Sequence, residues 1–200
     1  MMPSPVCLGR HMGFDFESFA EDYLSDLRRT LSEVSKSQIE ALWDELNAVA
    51  ERGCSIHMIG NGGSAATPSH SAGDWSKELS LKTISHTDNS SSLTAWANDT
   101  SFENIFLGQL STFLTKGDLV VGFSGSGNSM NVLNGLIYAK DNGCTTVGVT
   151  GNYNEMGGGK MISIVDLSIV IPTKSMERIE DFQLIINHII KEAVKSNNNL

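Results

Sequence analysis

The most informative stretch of this sequence is Gly122-Phe123-Ser124-Gly125-Ser126-Gly127-Asn128-Ser129, a loop between a strand and a helix. An apolar run, 119–121, leads into it, and a helix-like segment, 132–140, leaves it. The glycines let backbone N–H groups approach a ligand closely, and the start of a helix favours negative charge. The serines add donors. Since the loop holds no cationic residue, the pattern favours a sugar phosphate over a nucleoside triphosphate with its metal.

Two nucleotide-binding fingerprints are absent from this loop. It lacks the Gly-Lys-Ser/Thr ending of a P-loop, and its glycine spacing differs from that of dinucleotide-binding turns. The sequence therefore predicts that the protein uses no nucleotide cofactor.

A second loop of the same kind lies earlier in the chain. Gly60-Asn61-Gly62-Gly63-Ser64 follows an apolar strand, 55–59, and precedes a helix-like segment, 65–79. Either loop alone could be a tight connection between a strand and a helix. Together they predict one polar crevice at the carboxyl ends of parallel strands, where open α/β sheets bind ligands.

Length and composition exclude several classes of protein. The 200 residues, 40% of them hydrophobic, suit one domain with a sizeable core, and the net charge of −9 argues against nucleic acid as the main partner. The three cysteines lack metal-ligand spacing, and no apolar run is long enough for a membrane span. We expect a cytoplasmic protein with a flexible leader at 1–13 and a single domain at 14–200.

Strands and helices alternate through most of the chain. Strands are predicted at 55–59, 82–86, 118–123, 145–150 and 166–171, and helices at 65–79, 90–97, 102–115, 129–142 and 178–195. This alternation predicts an α/β fold, a doubly wound three-layer sandwich around a five-stranded parallel sheet. The glycine run 157–159 is expected to form a mobile loop before the last strand.

A helical hairpin is predicted before the first strand, at 15–52. Ser37 and Glu40 have the spacing of a capping box at the start of its second helix. Both helices carry apolar side chains at helical spacing, which makes a wide stripe. The stripe either folds onto its own domain or packs against another copy of the chain.

Both loops resemble those of the sugar isomerase (SIS) domain, and more narrowly those of the phosphoheptose isomerases. The resemblance extends through 98–106 and 178–188 and covers nearly the whole chain after the leader. That family interconverts sedoheptulose 7-phosphate and D-glycero-D-manno-heptose 7-phosphate, in the heptose branch that feeds lipopolysaccharide or a related glycan. The resemblance implies a doubly wound α/β sandwich, a homotetramer and active sites in crevices at subunit interfaces.

The resemblance also implies roles for individual residues. Four serines match the family's phosphate-binding serines, Gly125 replaces a residue that is often threonine, and the loop at 98–99 matches one that contacts the sugar chain. The implied substrate-binding set is Asn61, Gly62, Gly63, Ser64, Asn98, Asp99, Ser124, Gly125, Ser126, Ser129 and Glu180.

Two departures from the family pattern affect the chemistry. His188 matches the catalytic histidine, but Asp74 stands where the family usually has glutamate, and Glu180 stands where it usually has glutamine. Aldose–ketose isomerisation needs a base and an acid, and Asp74 and His188 are assigned to this pair without deciding which takes the carbon-bound proton. The shorter carboxylate could reflect a closer helix, a different preferred substrate or lost catalysis.

A zinc site is implied by the same resemblance, with one Zn²⁺ per subunit. His70 matches a histidine that ligates zinc, and it lies on the same helix face as Asp74, four residues later. Glu180 and His188, the other implied ligands, are about 12 Å apart along a straight helix. One metal would therefore need Glu180 at the helix mouth or ligands from two chains. Alternatively, His70 is a hydrogen-bonded residue in the crevice wall, and proton transfer proceeds without a metal.

Several other polar residues are less informative. His57, inside the first strand, is predicted to be buried and hydrogen-bonded, whereas His86 is expected to lie at a strand end without a partner. Arg178 is the best candidate for a cation that contacts the bound phosphate. The leading hypothesis is an isomerase. A non-catalytic scaffold that binds a replication initiator, or a sugar-phosphate sensor, would keep the same serine loop and stays open as an alternative.

Overall fold

The fold was analysed in a computed structural model that describes Gly9 and residues 12–199. The helices are α1 (Phe16–Glu33), α2 (Lys36–Glu51), α3 (Gly63–Leu79), α4 (Ser90–Asp99), α5 (Ile105–Phe113), α6 (Met130–Asp141) and α7 (Met176–Asn198), and the strands are β1 (Ile56–Gly60), β2 (Thr83–Ser85), β3 (Leu119–Ser124), β4 (Thr145–Gly151) and β5 (Leu167–Ile171). All five predicted strands are present, and each of the predicted helices is found within a few residues of its expected bounds. Most of the predicted leader lies outside the described residues, so the division at residue 13 stays a prediction.

The sheet is five-stranded and entirely parallel, in the order β2-β1-β3-β4-β5. Ile56 of β1 pairs with Leu119 of β3, and Val121 of β3 pairs with Val147 of β4. The order of strands reverses between β1 and β3, which makes this the switch point of a doubly wound fold. The predicted fold class is confirmed.

Side chains on alternate faces of the strands build two separate cores. On β3, Val121 packs on the face covered by α2, α3 and α7, where Trp75 and Phe182 are almost fully buried. Val120 packs on the opposite face, against α5 and α6, together with Leu110 and Leu136. Because both faces are covered, the strands read as continuous apolar runs.

The two helices of the N-terminal hairpin differ in how they pack. α2 buries a stripe of apolar residues in the core, namely Ile39, Leu42, Leu46 and Val49. α1 leaves Phe16, Phe19 and Leu24 exposed to solvent in the described structure, and Thr30 is its buried residue. The intramolecular reading is therefore right for α2, whereas the apolar face of α1 keeps the alternative open. The predicted capping residue was wrong, because Ser35 rather than Ser37 caps α2 by accepting from the Gln38 N–H.

The glycine run 157–159 is anchored rather than detached. The Gly158 carbonyl accepts a hydrogen bond from Thr150 Oγ1 at 3.2 Å, and the Lys160 N–H donates to Asn128 Oδ1 at 3.1 Å. The Met161 N–H donates to the Gly127 carbonyl at 3.0 Å. The loop predicted to be mobile is therefore hydrogen-bonded to the loop 122–129 and to β4, and its mobility stays a prediction.

A buried polar network lies between β1, β3 and the end of β2. His57 and His86 are almost fully buried, and His57 Nδ1 lies 2.9 Å from His86 Nε2. On its other side His57 Nε2 lies 3.2 Å from Asp118 Oδ2. The prediction for His57 is confirmed, and the prediction that His86 lacks a partner was wrong. Among the helices described, none is both long and apolar enough for a membrane span.

Candidate active site

A polar cavity opens at the switch point of the sheet, where β1 and β3 end side by side. Its volume is about 230 Å³, and its wall holds eight of the eleven predicted substrate-binding residues. This volume is below the roughly 300–1,000 Å³ of most small-molecule pockets, so it suits a phosphate and the adjoining part of a sugar. The lining residues are Asn61, Gly62, Ser64, Phe123, Ser124, Gly125, Ser126, Ser129, Met176 and Glu180.

Close backbone packing forms the first loop of this cavity. A Cβ on Gly60 would lie 2.0 Å from the carbonyl oxygen of Ser64, so only glycine fits there. Pro68, four residues after Ser64, has no N–H to occupy that carbonyl in the usual helical bond. Gly62 adopts φ +56°, a conformation that glycine reaches without strain. The chain therefore turns sharply enough for the N-terminus of α3 to face the cavity.

The second loop is ordered by its own hydroxyls. Ser124 Oγ lies 3.1 Å from Ser129 Oγ, and the Ser126 hydroxyl accepts a hydrogen bond from the Asn128 N–H. Gly127 turns the chain at φ +64°. The hydroxyls and backbone N–H groups at the start of α6 are thus arranged as a cradle that would suit an anion, and the described cavity wall holds no cationic side chain.

Glu180 lies in this cavity, beside the first turn of α3. A Cβ on Gly63 would lie 2.1 Å from Glu180 Oε2, so the carboxylate packs directly on that glycine. Burial raises the pKa of Glu180, and the negative charges of Glu177 and Asp181 raise it further, while the Ser64 N–H acts in the opposite direction. A carboxylate therefore lies at the N-terminus of α3, within the cavity wall.

Asn61 is held by a partner that sequence reasoning missed. Asn61 and the buried Asn131 exchange two side-chain hydrogen bonds, of 2.8 and 2.9 Å. Asn98 and Asp99, by contrast, end α4 on the exposed surface, where the Asn98 amide donates to Asp99. These two predicted contacts with the sugar chain are not in the cavity wall of this chain.

A second group of polar side chains lies further along α3 and α7. His70 Nε2 is 3.1 Å from His188 Nε2 and 3.3 Å from Asp74 Oδ2, and His188 Nε2 is 3.9 Å from the same oxygen. We refer to His70, Asp74 and His188 as the His/Asp cluster. Both imidazoles are about half exposed, whereas the Asp74 side chain is 17% exposed. The predicted catalytic pair is therefore brought together.

The His/Asp cluster fits a divalent metal ion. Its three ligand atoms lie within 4.8 Å of one another, and Asp74 Oδ2 is buried without an aligned hydrogen-bond donor. Ligands at zinc–nitrogen and zinc–oxygen distances in a tetrahedron are roughly 3.4 Å apart. The observed separations bracket this value. Glu180 does not belong to the cluster within one chain, so the four-ligand set expected from the sequence is reduced to three here.

Lys191 is a further member of this region that the sequence did not reveal. Its Nζ lies 3.1 Å from Asp74 Oδ2, and its side chain is 15% exposed. Burial acts to raise the pKa of Asp74, but the Lys191 contact and the charges of both histidines outweigh it, so the pKa lies below its usual value. Lys191 lies one turn after His188 on α7, and this spacing is the signal that could have identified Lys191 from the sequence.

The cavity and the His/Asp cluster are separate within one chain. Ser64 and Asp74 are ten residues apart on α3, or about 15 Å along its axis. In the described wall of the cavity, no residue of the cluster is present. A ligand in the cavity would have to cross the surface between α3 and α7 to reach the cluster of the same chain.

Arg178 does not face the cavity. Its Nε donates to Asp26 of α1, and its guanidinium lies 4.6 Å from the centre of the Tyr23 ring. Asp26 also accepts from Thr173 Oγ1 at 3.0 Å. The prediction that Arg178 supplies a cation to the phosphate is therefore corrected, because α1 engages it instead.

Residues 21–151 match the SIS domain family. The phosphoheptose isomerase of Aliarcobacter butzleri is 34% identical over 176 residues, which are 86% of this chain and 87% of that protein. The chain belongs to the phosphoheptose isomerase family. Another member, from Geobacter sulfurreducens, is 36% identical over 177 residues, 86% of this chain and 89% of its own length.

The fold agrees with that of a solved phosphoheptose isomerase. The structure of the enzyme from Neisseria gonorrhoeae superposes with a TM-score of 0.86 at 24% identity, and covers 91% of this chain and all of the other. At this identity the likeness shows the fold alone. The family assignment rests on the sequence relatives, which cover most of the chain.

Proposed function

We propose that the protein interconverts sedoheptulose 7-phosphate and D-glycero-D-manno-heptose 7-phosphate through a cis-enediol. One observation carries this proposal: the serine-lined cavity of about 230 Å³ (the serine cavity) and the His/Asp cluster share the helix pair α3 and α7 in a member of the phosphoheptose isomerase family. A scaffold that has lost catalysis would have no need to keep Asp74 and His188 in contact with His70. The enzyme is therefore favoured over the scaffold and the sensor.

The reaction divides between the two parts of the site. Hydroxyls of Ser124, Ser126 and Ser129 and backbone N–H groups bind the phosphate. In the metal-free cluster, Asp74 and His188 move the protons between the two adjacent carbons and their oxygens, each contributing roughly 10²–10⁴-fold. The separation of 3.9 Å between them allows both to contact one reacting centre. Asp74 stays ionised, because its pKa lies below the usual value.

Zn²⁺ is the metal that we propose for the His/Asp cluster, with one ion per subunit. His70 Nε2, Asp74 Oδ2 and His188 Nε2 would hold it, since two imidazoles and a carboxylate suit zinc. When bound, it would polarise the oxygens of the substrate at the reacting carbons. Glu180 could complete the ligand set only from a second chain.

We further propose that the active site is shared between subunits of a homotetramer. Within one chain, the serine cavity and the cluster are about 15 Å apart along α3. If the site were shared, a substrate would contact the cavity of one subunit and the cluster of another and would not have to bridge this distance. Two apolar surfaces support association: the exposed stripe of α1 and a groove of about 520 Å³ between the hairpin and α7, with Trp43 and Ile189 in its wall. The serine cavity of one subunit would then face the cluster of another.

We place this reaction in the cytoplasm, in the heptose branch that supplies lipopolysaccharide or a related glycan. Residues 14–200 act as one domain in this proposal, and 1–13 as a leader. The test is isomerisation of sedoheptulose 7-phosphate by the purified protein, followed by NMR with and without added Zn²⁺. Conversion to the aldose supports the proposal. Saturable binding of the sugar phosphate without conversion would contradict it and favour a sensor.

A further inference from the structure

Lys191 links the two helices of the proposed active site through a chain of charges. Its ammonium lies 3.1 Å from Asp74 Oδ2 and 3.6 Å from Glu78 Oε1, both on α3. One turn further along α7, Lys195 lies 3.0 Å from Glu78 Oε2. Lys191 therefore has two carboxylate partners, and one of them belongs to the His/Asp cluster.

We infer that Lys191 is a built-in cation that competes with a divalent metal ion for Asp74 and so sets the metal affinity of the His/Asp cluster. Asp74 Oδ2 is the atom that faces both imidazoles, and it is also the atom nearest the ammonium. Two cations that contact one oxygen repel each other strongly in a half-buried site. This inference rests on the metal site proposed above and adds a residue that controls it.

Glu78 gives the ammonium a second position when a metal binds. Because Glu78 lies 3.6 Å from Lys191 Nζ, a small rotation of the lysine side chain would transfer its charge from Asp74 to Glu78. Without this second partner, metal binding would leave a half-buried ammonium unpaired, which is costly. In the absence of metal, the Lys191 ammonium pairs with the Asp74 carboxylate beside the histidines.

Lys195 provides a matched control for this role. It lies on the same helix, contacts Glu78 and carries the same charge, but its contacts in the described structure do not include Asp74. If Lys191 only joined α3 to α7, removing either lysine would have similar consequences. Competition with metal predicts instead that only Lys191 affects the cluster.

The test is a titration of the full-length protein with Co²⁺, a spectroscopic substitute for Zn²⁺, monitored by calorimetry and by visible absorption. We expect Lys191→Met to bind Co²⁺ about tenfold or more tightly than the wild type, because a repelling charge is removed. Lys195→Met and the charge-preserving Lys191→Arg should remain within about threefold of the wild type. Lys191→Gln repeats the test if the methionine variant does not fold.

Three results would overturn the inference. These are an unchanged or weaker affinity in Lys191→Met and Lys191→Gln, an equal gain in Lys195→Met, and no Co²⁺ binding by any variant. The assay does not depend on turnover. If the purified protein failed to isomerise the sugar while the Lys191 variants gained affinity as expected, the proposed reaction would be wrong and the role of Lys191 would stand.

Discussion

His70 of α3 and His188 of α7 contact each other through their Nε2 atoms, which are 3.1 Å apart, with the rings nearly perpendicular. At most one of these two nitrogens can donate to the other, and both face Asp74 Oδ2. The contact therefore brings two imidazoles and a carboxylate together, an arrangement suited to proton transfer or to metal binding.

Replacing His188 by alanine should reduce kcat roughly 10²–10⁴-fold, because the group that exchanges protons with the substrate is lost. KM should change little, since the serine cavity is untouched. The measurement is sugar isomerisation by NMR. Glu192→Gln, an exposed change four residues along α7, is the control and should keep full activity. Wild-type turnover in His188→Ala would refute the catalytic assignment.

Replacing Ser124 or Ser126 by alanine should weaken binding of the sugar phosphate. Hydrogen bonds to a charged group are each worth about 1.5–3 kcal/mol, so each loss should raise the dissociation constant roughly ten- to hundredfold. Calorimetry with the sugar phosphate measures this directly. Ser163→Ala, which removes an exposed hydroxyl bonded to the Lys160 carbonyl, should leave the affinity unchanged. If Ser124→Ala and Ser126→Ala bound the sugar phosphate as tightly as Ser163→Ala and the wild type, this cavity would not be the phosphate-binding site.

A shared active site predicts complementation between two inactive variants. Ser124→Ala lacks a phosphate ligand and His188→Ala lacks the catalytic group, so each alone should be inactive or weak. When they are co-expressed and assemble at random, roughly a quarter of the sites should combine two intact halves. Activity in the mixture is the measurement. If mixed oligomers form but the mixture is no more active than its components, each site lies within a single subunit.

Replacing Glu180 by glutamine should tighten the binding of phosphate. The carboxylate packs against Gly63 at the start of α3, where it opposes a second anion, and glutamine keeps the shape without the charge. We expect about a tenfold gain in affinity for inorganic phosphate at low ionic strength. Glu192→Gln, an exposed carboxylate twelve residues further along α7, is the control. Weaker binding in Glu180→Gln would show that the carboxylate helps to hold the ligand.

The buried histidines predict an acid-sensitive fold. Burial and the neighbouring His57 lower the pKa of His86 to about 4 from 6.5, and burial also lowers that of His57. Between pH 6.5 and pH 4 the unfolded chain therefore binds more protons than the folded chain. The contribution of neutral His86 to the free energy of unfolding is complete above pH 6.5 and is lost as the pH falls towards 4. The loss for His86 is on the order of 3 kcal/mol.

Urea unfolding between pH 7 and pH 4.5 measures this dependence. His86→Gln should be less stable at neutral pH, but its stability should change less steeply with pH, because one titrating group is gone. An identical slope in the variant would mean that His86 does not carry the effect.

The sheet and the serine cavity were predictable because their signals are local. In this chain an apolar run followed by glycines and serines occurs twice, and the two occurrences together predict the switch point of a parallel sheet. Ser64 and Ser124 could therefore be assigned to one crevice although they are sixty residues apart in the sequence.

The errors concern contacts between distant segments. Arg178 looked free for a phosphate because its partner, Asp26, lies on α1. His86 looked unpaired because His57 meets it only through the pairing of β1 with β2. Lys191 was overlooked, since its link to Asp74 depends on how α3 and α7 pack. Strand pairing decides the histidine contact and helix–helix packing decides the other two, and both depend on how segments distant in the sequence come together.

The position of the serine cavity between β1 and β3 determines when, during folding, the chain can bind a sugar phosphate. The two loops follow strands that are neighbours in the sheet, while α3, β2, α4 and α5 intervene in the sequence between those strands. A nascent chain that has not yet completed β3 has only half of the cradle. Ligand affinity should thus appear late in folding, after this long-range pairing. A bound sugar phosphate would then stabilise the central strand pair, and with it the whole domain.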